Sequence, residues 1–166
     1  MDRMPATQLM LRLLLAAGLG AAIGLEREFR HKPAGLRTNI LIALGSALFT
    51  MMSIELAGLK GGTPDRVAAQ IVTGIGFLGA GAIMRHRESV QGLTTAATIW
   101  VNAAVGVAVG AGEYATASMA TAITLVVLAL LGPLEAYFER RSASPSAADE
   151  ASTSTRGDRP SPRHRR

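Results

Sequence analysis

The chain contains no cysteine, which excludes disulfides and thiolate chemistry. Aromatic residues make up only 4% of its 166 residues. None interleaves with the basic cluster at the C-terminus, so no nucleic-acid partner is expected. Lysine is nearly missing: of 17 basic residues, all but Lys32 and Lys60 are arginine. The three histidines, His31, His86 and His164, are scattered and lack metal-ligand spacing. No nucleophile–base set and no carboxylate pair stands at catalytic spacing. The reading is therefore of a non-enzyme without a cofactor.

What the chain does have is apolar length. Residues 9–25, 38–56, 67–84, 93–111 and 115–131 form five stretches near the ~20 residues that a helix needs to cross a hydrocarbon core about 30 Å thick. They lack the polar stripe at every turn that an amphipathic soluble helix carries. The mean hydropathy of +0.29 is modest because a polar tail is averaged in. The predicted fold is an all-α polytopic bundle of about five transmembrane helices over residues 1–141, followed by a disordered basic Ser/Pro/Arg tail over 142–166. That tail buries too little apolar surface to offset its chain entropy. Pro133 is expected to kink or end the last span.

Charge gives the orientation. Placing the N-terminus outside puts 13 basic residues on the cytoplasmic side and 4 outside. Counting only those close to the spans still leaves 8 against 4, so the positive-inside rule predicts N-out and C-in. Tyr114 at the outer end, with Tyr137 and Phe138 at the inner end, reads as interfacial anchoring.

Several polar groups sit where a bilayer makes them costly. Glu26, Arg27, Glu28, Arg37 and Asn39 flank the first inner loop. The acidic pair is expected to neutralise arginines there, Arg27, Arg37, Arg85 or Arg87. Pro33-Ala34-Gly35 predicts a fixed turn. At the outer side, Asp65 and Arg66 open the third span. Asp65 reads first as a helix-dipole partner and second, with Glu55 and Glu113, as a weak site for hydrated Mg²⁺. Gln70 lies a turn deeper and wants a partner. Thr94, Thr98 and Asn102 fall at i, i+4 and i+8 on one face of the fourth span, either as interhelical hydrogen bonds or as a hydrophilic seam.

Gly74, Gly76, Gly79 and Gly81 formally satisfy a dinucleotide-binding glycine pattern, but that pattern requires a preceding strand. Inside an apolar span they read instead as a helix-packing face. Gly20 with Gly24 and Gly106 with Gly110 read the same way.

Five blocks, taken in order, resemble one known family. They are Gly24-Leu25-Glu26-Arg27-Glu28, Lys32-Pro33-Ala34-Gly35-Leu36-Arg37-Thr38, Arg66-Val67-Ala68-Ala69-Gln70-Ile71-Val72, the glycine block from Gly74 to Gly81, and the block from Gly92 to Trp100. Together they resemble the N-terminal membrane domain of the MgtC/SapB family of bacterial membrane proteins, over roughly residues 10–132. The resemblance implies a bacterial inner-membrane protein linked to magnesium homeostasis and, in pathogens, to survival inside host cells. It further implies a modulator of other membrane machines, the proton-driven ATP synthase among them. Longer members carry a folded cytoplasmic C-terminal domain where this chain has its tail. No catalytic residue carries over. The leading expectation is a regulator that binds another integral membrane complex. The alternative is a transporter or channel for Mg²⁺ or another cation, with Asp65, Gln70 and the Thr94/Thr98/Asn102 stripe facing one cavity. A homodimer fits either reading.

Overall fold

Alternation between apolar helices and short polar turns dictates an up-and-down bundle. The computed structural model describes residues 4–60, 63, 65–86 and 89–142. Among them are helices α1 (Ala6–Phe29), α2 (Leu36–Lys60), α3 (Asp65–Gly81), α4 (Leu93–Ala111) and α5 (Tyr114–Ser142). A short antiparallel hairpin, β1 (Met84–His86) with β2 (Ser89–Gln91), links α3 to α4. By length and composition α1, α2, α4 and the Tyr114–Gly132 part of α5 suit a membrane crossing, whereas the apolar part of α3, Ala68–Gly81, is shorter.

Helix directions follow from which glycines meet which carbonyls. Gly24, late in α1, lies against Leu36 and Asn39 at the start of α2, and Gly20 lies against Asn39 and Ala43, so α1 and α2 are antiparallel. Gly106 faces Ala43 and Ser46 while Gly110 faces Ala47 and Thr50, so α4 runs parallel to α2. Gly79 of α3 meets Ala96 of α4 near the opposite sequence end of each. The end of α1, the start of α2, the end of α3 and the start of α4 thus gather at one end, called the junction end below. α2 lies between the glycine faces of α1 and α4. Lipid tails are as apolar as the side chains, so such close van der Waals packing, rather than water exclusion, holds the helices.

Two compact units divide the chain, Met1–Leu128 and Ala129–Arg166. In the first, Ala16, Ala47, Met51, Val105, Val109 and Ala117 form one buried cluster across α1, α2, α4 and α5. Ile75, Ile99 and Ala103 join α3 to α4. α4 stops at Gly112, whose φ of +92° is a conformation that L side chains rarely adopt. There the Glu113 amide donates to the Ala108 carbonyl at 2.9 Å and closes the helix.

Four expectations are corrected. α1 continues through Glu26, Arg27 and Glu28, which are helical rather than loop residues, because the intrahelical Glu26–Arg30 ion pair carries the charge at its end. The third span ends at Gly81 instead of residue 84, since Ala82 and Ile83 turn back onto the Gly79 and Ala80 carbonyls and the chain enters the hairpin. The helix assignment of α5 includes Pro133 and runs to Ser142, so Pro133 does not end it, Pro removing only one backbone donor from the ladder. Gly74, Gly76 and Gly81 pack against nothing within the described chain: a Cβ added at any of them meets no atom within 4 Å. Glycine spacing marks a face of a helix but not what covers it. The tail 143–166, Arg87, and the side chains of Asp65, Tyr137 and Phe138 lie outside the described residues.

Candidate functional site

At the junction end three helix termini place polar side chains in an otherwise apolar bundle. Arg27, in the last turn of α1, is buried. Its Nη2 donates to Thr95 Oγ1 at 2.7 Å, linking α1 to the first turn of α4, and lies 3.5 Å from the Pro33 carbonyl. Its Nε has no hydrogen-bond partner among the described residues. A charge-assisted bond of this kind is worth about 1.5–3 kcal/mol. The positive charge itself has no carboxylate at ion-pair distance among the described residues.

Asn39 and Asn102 form the second link. Both are 0% exposed. The Asn39 amide donates to the Ala34 and Gly35 carbonyls, at 2.5 and 3.0 Å, pinning the loop to the start of α2. Ala34 sits at φ +56° and His31 at +53°, unusual for side-chain-bearing residues, and the Asn39 bonds help hold that turn. From α4, Asn102 Nδ2 donates to the Asn39 main-chain carbonyl at 2.6 Å. Gly20 keeps clear the same carbonyl, which would lie 2.7 Å from a Cβ placed there.

The two acidic residues take different parts from those expected. Glu28 accepts the Leu36 amide through Oε2 at 3.1 Å and so caps the N-terminus of α2. Gly35 leaves room for that carboxylate. Glu26 pairs with Arg30 one turn along, Nε to Oε1 at 2.5 Å. Neither reaches Arg37, which is exposed and makes no ion pair among the described residues. The partners are set by helix geometry: Glu26 and Arg30 are neighbours at i and i+4, while Arg37 projects from a different face of α2.

At the opposite end Arg12 performs the reciprocal closure. Its Nη1 donates to the Gly110 carbonyl at 2.8 Å, and its Nε donates to the Tyr114 hydroxyl at 2.9 Å. A cation at the C-terminus of α4 complements that helix's dipole. Sequence spacing marks neither Arg12, just inside the first span, nor Thr95, beside the α4 stripe, as a site residue. Arg12 shows only as a charge inside an apolar run, a signal that could have flagged it.

The α4 stripe divides. Thr98 turns back to the Thr94 carbonyl at 2.7 Å, Asn102 bonds α2, and Thr94 is exposed. Gln70 lies elsewhere, along a groove between α2 and α3. Arg66 is exposed. Among the described residues no three acidic or histidine side chains gather as a metal site.

The MgtC family model matches residues 13–137. "Protein MgtC" of Brucella abortus (strain 2308) is 54% identical over 121 residues, covering 73% of this chain and 50% of that protein. "Protein MgtC" of Salmonella typhimurium (strain LT2) is 49% identical over 130 residues, 78% of this chain and 55% of that protein. The Escherichia coli (strain K12) protein named "Putative magnesium transporter YhiD" is 46% identical over 130 residues, 73% of this chain and 59% of its own length. The chain thus spans about half the length of the curated relatives it matches. No solved structure gives a significant match.

Proposed function

The chain belongs to the MgtC family and is a multi-pass bacterial inner-membrane protein; on that footing we propose that it is a non-enzymatic regulator in magnesium homeostasis, acting by docking on another integral membrane complex. The observation that carries this reading is the outward face of α3. Gly76, Phe77 and Ala80 are exposed, Phe77 to 81%, and a Cβ on Gly76 would touch nothing. In a bilayer, small residues beside an aromatic one suit close approach by a second helix. The polar side chains of α4 support the same reading. Thr98 and Asn102 are engaged within the bundle and Gln70 borders the groove between α2 and α3, which supports docking over a shared polar path.

The test is a photoreactive residue at Phe77 in native membranes. A discrete adduct with a second membrane protein is the expected result. An adduct only with another copy of the chain would replace the partner by a homodimer. A parallel assay of Mg²⁺ uptake into liposomes separates the transporter reading, which the name of the Escherichia coli relative suggests for that protein. Saturable uptake by purified protein would make transport the function and overturn the regulator.

A further inference from the structure

We infer that the groove between α2 and α3 seats one acyl chain of an anionic phospholipid, with Arg37 holding the phosphate at its junction-end mouth. The groove has a volume of about 750 Å³. Its walls are two facing stripes: Arg37, Gly45 and Phe49 mark the α2 wall, Gln70, Gly74 and Leu78 the α3 wall, and Ile99 of α4 closes the back. The lining is mostly apolar, with Arg37 and Thr38 at the junction end, Ser46 between, and Gln70 towards the other end.

Length and the charged end point to the occupant. From Arg37 to Phe49 the α2 wall extends about 18 Å at 1.5 Å per residue. One leaflet of a ~30 Å hydrocarbon core is about 15 Å deep, so the groove matches a single leaflet measured from the charged end. A lone acyl chain is thin enough to enter.

The groove is also kept open by residue choice. Gly45 and Gly74 stand on opposite walls, and a Cβ added to either meets nothing within 4 Å. Side chains here would fill the space without striking the fold. At the mouth, the exposed Arg37 guanidinium has no ion-pair partner among the described residues, and a guanidinium matches phosphate geometry through paired donors. Under the orientation that the charge count predicts, this mouth faces the cytoplasmic leaflet, where anionic lipid attracts basic residues near the surface. The proposal depends on bilayer placement and not on the regulator reading.

The absence of cysteine and the single tryptophan make the test direct. A full-length chain carrying Phe49→Trp and Trp100→Phe is placed in phosphatidylcholine vesicles, and its fluorescence is quenched with brominated phosphatidylglycerol or brominated phosphatidylcholine. The expected result is about fivefold preference for phosphatidylglycerol, the factor that one basic contact provides. Arg37→Gln should bring that preference close to one, and Gly74→Leu should abolish it while the helical circular dichroism stays unchanged. Equal quenching by both lipids in the parent overturns the proposal. So does a preference that survives Gly74→Leu, which would assign it to the basic surface rather than to a seated chain. Tryptophan shielded from both lipids, with crosslinking between copies, would overturn it in favour of a second chain in the groove.

Discussion

Asn102 on α4 donates to the main-chain carbonyl of Asn39 on α2 at 2.6 Å, and the Asn39 side chain in turn holds the loop that joins α1 to α2. One interhelical bond therefore connects the position of α4 to the turn that sets the α1–α2 angle. Asn102→Ala should lower stability by about 1–2 kcal/mol. Titration of the purified protein with SDS, followed by circular dichroism, measures it. An unchanged midpoint would show that the bond carries no weight.

The Arg27–Thr95 pair should behave as a unit. Thr95→Val leaves a buried guanidinium short of an acceptor and is expected to cost about 1.5–3 kcal/mol. The double variant Arg27→Met/Thr95→Val should be less destabilised than the sum of the two singles, because the stranded charge is removed with its partner. Strict additivity in the same titration would contradict coupling across α1 and α4.

Glycines with similar spacing should respond oppositely. Gly106→Ala drives a methyl into the Ala43 carbonyl, whereas Gly74→Ala meets open space. The first should reduce folded protein in the membrane severalfold. The second should be neutral or mildly stabilising, since Ala is favoured over Gly in a helix by up to about 1 kcal/mol. Quantitative blotting of membrane fractions compares them.

Removing the Arg12 closure should loosen the turn between α4 and α5. Arg12→Ala loses the bonds to the Gly110 carbonyl and the Tyr114 hydroxyl, while Tyr114→Phe loses only one. The expected order of destabilisation is Arg12→Ala above Tyr114→Phe, the former about 1–2 kcal/mol. Faster hydrogen exchange confined to residues 110–116 in Arg12→Ala would locate the effect.

Orientation is open to labelling on a cysteine-free background. With the N-terminus outside, Glu113→Cys should react with an impermeant maleimide in spheroplasts, and His31→Cys only after permeabilisation. The reverse pattern would invert the topology.

Much of the architecture was legible because its causes are local. Apolar run length gave the helices, and i, i+4 spacing put Gly20 with Gly24 and Gly106 with Gly110 on single faces. The partners were not legible. Arg27 meets Thr95 across 68 positions, and nothing in the spacing of either announces the other. Thr98 sits on the same stripe as Asn102 yet bonds its own helix, a choice made by rotamer and neighbour rather than by periodicity. The glycine block of α3 has the same kind of spacing as the pairs of α1 and α4, but periodicity cannot say whether the surface facing a stripe belongs to the chain, to lipid or to a partner. The hairpin after α3 escaped notice because three-residue strands are too short to show alternation.

Ala43 is squeezed from both sides. Its methyl would lie 2.9 Å from a Cβ on Gly20, and its carbonyl lies against Gly106. The backbone of α2 at that point acts as a spacer of fixed gauge between the first and fourth helices. Little free space separates α2 from the first helix on one side or the fourth on the other, so α2 cannot shift towards either without a clash.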